Sequence, residues 1–442
     1  IDADQKLQED ALMSYVASVN YSYGDKYYAS FSFRRDGSSR LSPDTRWGNF
    51  WSLSASWRLS QERFMQPLKS VLSDLKLRAS YGVNGNLPSS YYGYQSTYTT
   101  GAFYSGKPSP WESTLGNEEL TWEKNYALNL GLDIGLFSRV NVSLDWYTRT
   151  TKDLLMSKQL NSISGFSSLL TNVGQMRNTG VELEVRSNNI KTKDFSWTTA
   201  FNLSHNKNKI LKLADLPWFV DGRYVRKEGY PFNTIYLREY AGVDPETGSA
   251  LYYDNQQDEN GNYTKNKVTD PGQASPIPLK DITPTISGGF MNTFNYKFID
   301  LSFNLSYSFG GYSYDNASYI LQDDGYSVIS NKSTEQRRRW QKPGDITDVP
   351  RFVYGNKKGG NYNSSRAIHS TDHIRLKSLI LGLNAPKAWL QKLGIGNARI
   401  YFSGTNLLTW AAYDQYDPEM SGVVGFYTPP LKTYAFGLEL KF

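Results

Sequence analysis

The stretch IDLSFNLSYSF, residues 299–309, decides the fold, because apolar and polar side chains alternate along it without a break. A period of two is typical of a β-strand whose two faces meet different environments. The same alternation recurs at residues 13–23, 51–59, 75–81, 126–134, 140–146, 181–185 and 197–203. A helical period is confined to residues 61–72. The sequence therefore predicts an all-β chain.

Alternation alone leaves two architectures open: a soluble β-sandwich with its apolar face inward, and a membrane barrel with that face outward. Many strands have about 9 to 11 residues, the length of a tilted membrane strand rather than of a common globular one. Aromatic residues cluster near strand ends, as interfacial girdles require, and the polar set is Ser, Asn, Asp, Gly and Thr, which suits a wet lumen. We interpret the chain as a transmembrane antiparallel up-and-down β-barrel.

Composition supports this interpretation. Aromatic residues make up 15% of the 442 residues, yet the mean hydropathy is −0.55, an unusual pairing for a soluble globule. The net charge of +6 is spread along the chain, so we expect no nucleic-acid partner. The absence of cysteine excludes disulfides and thiolate metal sites. No apolar run is long enough for a transmembrane helix.

The connections between strands alternate between short and long. Tight turns are expected at residues 24–26, at 137–138, near 188–189 and at 297–298, and long excursions at residues 82–121, 150–177 and 312–371. Outer-membrane barrels have short periplasmic turns and long extracellular loops. On that rule the first and last strands run in the same direction, which gives an odd count of about thirteen. Residues 208–282 add either two strands or none.

An odd set of strands leaves unpaired edges, which lipid does not tolerate, whereas bacterial single-chain barrels have even strand numbers. The chain begins Ile-Asp-Ala-Asp, without an initiator Met or a signal peptide. We therefore expect residues 1–442 to be the C-terminal portion of a longer barrel, with the earlier part absent from this chain.

Six stretches in chain order carry a family resemblance. They are KYYASFSFRRDGSSRLSPDTRWGNFWSLSASWRLSQERFM (26–65), LKLRASYGVNGN (75–86), NVGQMRNTGVELEV (172–185), RRWQKPGDITDVPRF (338–352), HIRLKSLILGLNAP (373–386) and ARIYFSGTNLLTWAAYDQYDPEM (398–420). Together they resemble the SusC/RagA family of TonB-dependent outer-membrane transporters. The resemblance implies a barrel of about 22 strands, of which about 13 lie in this chain, with an N-terminal plug and early strands that this chain lacks.

The resemblance also implies a function in the bacterial outer membrane. We expect import of a nutrient, with an oligosaccharide favoured and a peptide as the other class. The expected partners are a SusD-like surface lipoprotein acting as a lid, TonB through the absent N-terminal part, the barrel-assembly machinery and outer-membrane lipids. Two alternatives remain: a passive porin-like or adhesin-type barrel, and an outer-membrane enzyme of the phospholipase kind.

The last ten residues, TYAFGLELKF, place apolar side chains on every second position up to the final residue. A closing strand must pair within the barrel, so its terminus is not free to fray. This ending also resembles the signal read by the barrel-assembly machinery. The predicted signal residues are Tyr434, Phe436, Leu438, Leu440 and Phe442.

Aromatic residues in the long excursions are the candidates for substrate binding. Their faces pack on sugar C–H groups while neighbouring polar side chains hydrogen-bond to hydroxyls. The alternative for each ring is packing within its own loop or contact with the lid protein. The predicted set is Tyr91, Tyr92, Trp111, Trp218, Tyr312, Tyr314, Trp340 and Tyr427.

Signals for catalysis or metal binding are weak. The chain has three histidines, His205, His369 and His373, in no HExxH pair, and we interpret the last two as solvated loop residues. No phosphate-binding loop or G-x-S-x-G motif is present. Residues 254–262, DNQQDENGN, fail the EF-hand pattern, although loop-bound calcium stays as an alternative to a plain turn. We expect no catalytic residue, no metal ligand and no cofactor.

Overall fold

The computed structural model describes residues 7–442 apart from 102, 214–215, 357–361, 387–388 and 391–393. Within this described part, thirteen strands form one sheet in chain order. They are β1 (Leu12–Tyr23), β2 (Tyr27–Ser38), β3 (Trp47–Arg58), β4 (Leu72–Asn86), β5 (Glu123–Leu136), β6 (Val140–Lys152), β7 (Gln175–Lys191), β8 (Phe195–Lys212), β9 (Ile286–Tyr296), β10 (Ile299–Phe309), β11 (His373–Asn384), β12 (Asn397–Ala411) and β13 (Thr433–Lys441). The predicted all-β, up-and-down antiparallel fold and its strand count are confirmed.

Shorter strands and helices lie in the connections. The loop strands are Thr97–Thr99, Phe103–Tyr104, Lys107–Pro108, Trp111–Thr114, Leu155–Gln159, Ser168–Asn172, Trp218–Asp221, Tyr224–Lys227, Thr234–Leu237, Tyr240–Val243, Ala250–Tyr253, Lys267–Val268, Ile277–Asp281, Tyr312–Asp315, Ile368–Ser370 and Gly422–Val424. A short α-helix spans Asn316–Leu321, and 3₁₀-helices lie at Leu59–Gln61, Arg63–Leu68, Ser162–Ser164, Pro271–Gln273, Thr334–Arg338 and Ser365–Ala367. The helical period at residues 61–72 corresponds to 3₁₀ turns.

Three of the predicted tight turns are confirmed by left-handed backbone conformations. Asp25, Phe137 and Lys297 have φ angles of 57°, 53° and 51°. The turn predicted near residues 188–189 lies three residues further on, because β7 continues to Lys191 and the chain reverses at residues 192–194. There the Phe195 N–H donates to Thr192 Oγ1 at 3.0 Å, which closes the turn.

Residues 208–282 add no strand to the large sheet. β8 ends at Lys212 and β9 begins at Ile286, and the residues between them form smaller sheets. One has four strands and ends with Ile277–Asp281, and another has three strands within Tyr240–Val268. Of the two alternatives left by the sequence, the structure selects the one without extra barrel strands.

The chain divides into two compact units, the first drawn from within Ile1–Asn189, Ser204–Trp218 and Lys227–Tyr230. One face of its sheet is apolar. Leu77 lies opposite both Trp57 and Leu132, and Leu144 and Leu183 continue the row across β6 and β7. Leu77 and Leu144 remain 43% and 40% exposed. A continuous exposed apolar face of this kind marks a surface that contacts an apolar medium or a partner.

The opposite face of the first unit is polar and charged. The guanidinium of Arg78 on β4 donates to Asp133 on β5 at 2.8 Å and to Asp145 on β6 at 2.9 Å. Gly131 makes room for this group, since a Cβ there would lie 2.5 Å from the Asp145 carboxylate and 2.6 Å from Arg78 Cζ. Alternation along the strands thus separates an apolar face from a hydrated one.

The loop-side end of the first unit has its own apolar core. Phe50 and Trp122 are almost fully buried, with ring centroids 5.2 Å apart at an interplanar angle of 68°. Trp122 Nε1 donates to the carbonyl oxygen of Arg46 at 2.8 Å. Gly85 lies where a Cβ would overlap the Phe50 ring. The long connections are therefore packed structures.

The second unit, drawn from within Ile190–Leu203, Phe219–Arg226 and Pro231–Phe442, includes the last strand. β13 pairs with β12 from Thr433 opposite Thr405 to Lys441 opposite Asn397. The predicted alternation is confirmed here, because an apolar side chain occupies every second position of β13. Those residues are 43–88% exposed, namely Tyr434, Phe436, Leu438, Leu440 and, just beyond the strand, Phe442. Their role as an assembly signal stays a prediction.

Candidate functional site

A cavity of about 1210 Å³ lies in the second unit at the end of the sheet where β11 begins and β12 ends. Its walls come from the first residues of β11, the last residues of β12 and the segment 414–432 that leads to β13. This volume exceeds the range of about 300–1,000 Å³ that is usual for small-ligand pockets. The cavity lies on the side of the long connections, away from the tight turns.

A buried arginine holds one wall of the cavity in place. Arg375 on β11 is 2% exposed, and its guanidinium donates to Asp417 at 2.7 Å and to Glu419 at 2.9 Å. Its Nε donates to Thr409 Oγ1 on β12 at 3.0 Å. Lys377, two residues on, also reaches Glu419 at 2.6 Å. These charge-assisted hydrogen bonds tie the segment after β12 to the polar face of β11.

Two histidines stand beside the cavity, and neither is a solvated loop residue, so that interpretation is wrong. His373 is 5% exposed and donates through Nδ1 to the Thr371 carbonyl oxygen at 2.8 Å. His369 stacks on Tyr413 with centroids 3.7 Å apart and planes 2° from parallel. Burial lowers the pKa of the His369 imidazole, so the ring is neutral at pH 7.

Tyr413 connects the stacked pair to the loop helix. Its hydroxyl donates to Asp315 at 2.9 Å, and Asp315 accepts from the Ser318 N–H at 2.8 Å as the N-cap of Asn316–Leu321. Three segments distant in sequence are therefore joined through one aromatic side chain. A neutral His369 suits this contact, since a buried charge there would need its own partner.

The structure brings one predicted ring, Tyr427, to the cavity. Tyr427 is 65% exposed and lies beside Phe426, with Trp410 of β12 also on the lining. Tyr314 is 1% exposed in a loop core, where its hydroxyl donates to Asn363 at 2.8 Å. Tyr312 lies 5.0 Å below the Lys280 ammonium. Tyr427 is therefore the predicted ring that borders the cavity, while Tyr314 packs within its loop.

Trp340 and Trp218 lie elsewhere in the connections. Trp340 donates through Nε1 to the Pro245 carbonyl oxygen at 2.8 Å and covers Gly248, where a Cβ would overlap the indole. This arrangement fastens one loop segment to another. Trp218 is 45% exposed in the loop strand Trp218–Asp221. Their part in substrate binding stays a prediction.

The remaining predicted rings belong to the first unit. The Arg40 guanidinium lies 4.1 Å from the Tyr91 ring centroid, a cation–π contact. Tyr92 accepts from the Glu9 N–H at 3.3 Å. Trp111 is 60% exposed on a short loop strand beside Thr99. These rings do not line the cavity of the second unit, and no ligand role is tested for them.

Sequence reasoning overlooked the residues that shape the cavity. His373, Arg375 and Lys377 alternate as a basic set on one face of β11, and Asp417 and Glu419 form an acidic pair two residues apart. The available signal was that the basic residues and the acidic residues recur at the same two-residue spacing, which allows them to pair. A second overlooked group is the buried ion pair between Arg366 and Asp324, the latter 0% exposed.

Metal binding gains no support from clustered ligands. Among the residues that the structure describes, no group of three or more His, Asp or Glu side chains is arranged to hold a metal ion. In residues 254–262 the Asp258 carboxylate accepts from the N–H groups of Asn260 and Asn262, closing a turn. Calcium binding there stays untested. No described helix is both long and apolar enough to cross a membrane.

Comparisons with known proteins agree on one family. The family model described as TonB dependent receptor-like, beta-barrel matches residues 8–272, more than half of the chain. TonB-dependent receptor P3 of Formosa agariphila is 33% identical over 471 residues, which cover 99% of this chain and 46% of that protein. TonB-dependent receptor SusC of Bacteroides thetaiotaomicron is 31% identical over 476 residues, covering 99% of this chain and 45% of its own length.

Solved structures give the same result. The structure of the RagAB peptide transporter matches with a TM-score of 0.89 and 31% identity, covering 98% of this chain and 48% of the matched chain. The relatives are named as receptors and transporters, which agrees with the expectation that the chain is not an enzyme. This chain spans about half the length of the curated relatives it matches.

Proposed function

The chain belongs to the TonB-dependent receptors of the SusC/RagA type, which lie in the bacterial outer membrane, and from that membership we propose that it forms part of the wall of a nutrient importer. The observation that carries the proposal is the separation of faces. An apolar face suits lipid, and the face bearing Arg78, Asp133 and Asp145 suits a hydrated lumen.

The whole importer requires parts beyond this chain. We propose that the relatives' additional length corresponds to a plug, a TonB-contacting segment and the earlier strands, and that these strands pair with the edges at β1 and β13. We further propose a SusD-like lipoprotein as a lid over the long connections. TonB would then displace the plug after cargo is trapped beneath the lid.

The cargo is proposed to be a nutrient too large for a passive porin. The exposed loop rings favour an oligosaccharide, whereas a relative of known structure is described as a peptide transporter. Both classes require a cavity on the loop side of the sheet, where the second unit has one. The rival function is a passive or adhesin-type barrel, which needs neither a lid nor TonB.

The test is energy-dependent uptake by the full-length protein in its native host. Cells with and without the gene are given radiolabelled oligosaccharides and peptides, and uptake is measured with TonB present and deleted. We expect uptake that requires both the gene and TonB, together with a lipoprotein that co-purifies with the barrel. Gene-dependent uptake that persists without TonB would establish the passive pore instead.

A further inference from the structure

The connection between β3 and β4 is longer than its neighbours at the tight-turn end of the first unit. β3 ends at Arg58 and β4 begins at Leu72, and two 3₁₀-helices, Leu59–Gln61 and Arg63–Leu68, lie between them. The turns after β1 and β5 reverse the chain within a few residues. Because outer-membrane barrels have short turns at their periplasmic end, a folded insertion is an exception there. We call residues 62–71 the foot.

Hydrogen bonds hold the foot on the apolar side of the sheet. The Glu62 carboxylate accepts from Tyr27 Oη at 2.7 Å and from Trp57 Nε1 at 3.2 Å. Tyr27 and Trp57 lie opposite each other on β2 and β3, and Trp57 lies opposite Leu77 in the apolar row described above. Tyr and Trp are enriched at the level of the lipid headgroups in membrane proteins. The foot therefore begins on the face that we assign to lipid, beside two rings of this kind.

Both ends of the foot are fixed to the sheet. At its start, Arg58 Nε and Ser60 Oγ donate to the Asp74 carboxylate at 2.9 Å and 2.6 Å. At its end, the Phe137 N–H in the turn after β5 donates to the Val71 carbonyl oxygen at 2.7 Å. β3 and β4 each have both of their neighbouring strands in this chain. The fold of the described strands therefore sets which side chains of the foot are exposed.

Large apolar side chains of the foot and of the adjoining turn are exposed. Phe64, Leu68 and Val71 are 63%, 52% and 48% exposed, and Phe137 is 58% exposed. Phe137 and Ser138 both have a φ of 53°, a turn conformation that favours Asn and Gly and disfavours a bulky side chain. These side chains extend the exposed apolar face beyond the ends of the strands, which indicates contact with the same apolar medium.

Basic side chains accompany the exposed apolar ones. The Glu62 carboxylate is bound by Lys26 at 2.9 Å, and Asp25 in the turn after β1 is bound by Arg58 at 3.3 Å. Three further basic side chains are exposed and have no ion-pair partner within the part of the chain that the structure describes. They are Arg63, Lys69 and Arg139. A segment with exposed apolar and basic side chains is typical of a membrane interface.

We propose that the foot binds an anionic phospholipid of the periplasmic leaflet. Phe64 and Leu68 pack among its acyl chains, while Arg63 and Lys69 bind its phosphate with charge-assisted hydrogen bonds. Each basic side chain at a membrane surface favours an anionic lipid by about fivefold. A zwitterionic lipid has the same acyl chains but no net negative charge, so the foot selects against it. The inference rests on the proposed function, which places the tight turns on the periplasmic side.

Quenching of a fluorophore on the foot tests the proposal. This chain has no cysteine, and any cysteine elsewhere in the full-length protein is replaced by serine before Gln66→Cys is introduced and labelled with bimane. The protein is reconstituted in phosphatidylcholine vesicles that contain a small fraction of brominated phosphatidylglycerol or brominated phosphatidylcholine. Because bromine quenches at short range, we expect the curves to show a preference for phosphatidylglycerol of about fivefold or more. Equal quenching by both lipids, or by neither, would overturn the proposal.

Removing the charges should remove the selectivity. In Arg63→Gln with Lys69→Gln, the preference for phosphatidylglycerol should fall close to one, while both lipids still quench because the apolar side chains remain in the bilayer. The matched control is Lys107→Gln with Lys267→Gln, two exposed lysines of the long connections. An equal loss of preference in the control, or an unchanged preference in the foot variant, would refute the pairing with phosphate.

Removing the apolar side chains should act on both lipids alike. Phe64→Ser with Leu68→Ser should reduce the quenching by brominated phosphatidylglycerol and by brominated phosphatidylcholine at least twofold, and unchanged quenching would contradict contact with the acyl chains. The proposed import function is judged separately by uptake. TonB-dependent uptake without lipid selectivity would remove the lipid site alone, whereas selectivity in a barrel whose uptake does not need TonB would leave the site and remove the importer.

Discussion

Arg375 is the residue on which the segment after β12 depends, because its buried guanidinium has both carboxylate partners in that segment. Arg375→Met leaves the nearly buried Asp417 carboxylate without its cation. Removing one partner of a buried pair costs about 3–5 kcal/mol. We expect the variant to lose that much unfolding free energy, measured by denaturant titration of the full-length protein in lipid vesicles.

Arg338→Met is the matched control, because Arg338 pairs with Asp348 at 2.9 Å while both side chains are mostly exposed. Exposed pairs contribute about 0–1 kcal/mol. Equal destabilisation by the two substitutions would show that burial of Arg375 has no special role.

Glu62 predicts a pH dependence at the tight-turn end of the sheet. Its carboxylate accepts from Tyr27 Oη at 2.7 Å, Lys26 Nζ at 2.9 Å and Trp57 Nε1 at 3.2 Å, and these bonds lower its pKa to about 2. A lowered pKa stabilises the fold above the unfolded value of about 4.3, and the contribution is lost as pH falls toward 2. In the Glu62→Gln variant, the unfolding free energy should therefore depend less on pH between pH 5 and 2 than in the unmodified protein.

The measurement is the denaturant midpoint of the full-length protein at a series of pH values. Glu246→Gln, in a loop where the Glu246 N–H donates to Asp244, serves as the control. An unchanged pH profile in Glu62→Gln would contradict the assignment of this group.

Individual strands can be tested through their two faces. Leu130 on β5 lies on the apolar face and is 46% exposed, whereas the adjacent Asn129 lies on the polar face and contacts Ser80 at 3.3 Å. Arginine on a lipid face costs about 2–4 kcal/mol near the bilayer midplane. Leu130→Arg should therefore reduce folding into lipid vesicles, and Asn129→Arg should not. If Asn129→Arg reduced folding and Leu130→Arg did not, the assignment of the two faces would be reversed.

The final strand carries a prediction about assembly. Phe442 is 88% exposed beside β13, and its position continues the apolar side of that strand. We expect Phe442→Ala in the full-length protein to lower the amount folded in the outer membrane, measured by heat-modifiable gel mobility. Peptide or sugar affinity of the assembled fraction should remain unchanged. Normal outer-membrane levels of the Phe442→Ala variant would show that assembly does not depend on this residue.

The strands were predictable because their two faces meet different media, so polar and apolar side chains alternate along each strand. The exact place of the turn after β7 was not predictable. Asn188 and Asn189 are typical turn residues, but β7 runs on to Lys191, past the end of its ladder with β6 at Ser187, and the Thr192 contact closes the turn. The cavity beside β11 and β12 was equally hidden, because it lies where Asn406 and Leu407 bulge from the ladder between these strands. A bulge depends on which residues oppose each other across a ladder, and no local pattern around Asn406 specifies that register.

For the whole molecule, the question is which exposed rings meet cargo and which meet another protein. Tyr104 and Trp111, 81% and 60% exposed on loop strands of the first unit, are large apolar groups without burial. Interface hot spots are enriched in such residues, and losing one costs about 2 kcal/mol or more, roughly thirtyfold in affinity. Their position outside the cavity lining favours contact with the proposed lid protein over contact with cargo.

The double variant Tyr104→Ser with Trp111→Ser decides between these roles. If the rings contact the proposed lid, the affinity of the purified barrel for the lipoprotein should fall about thirtyfold or more, while calorimetric binding of the cargo stays within error. Phe426→Ser with Tyr427→Ser, on the lining of the cavity, should do the opposite. If both double variants weaken the binding of cargo and retain the lipoprotein, all four rings belong to the cargo path.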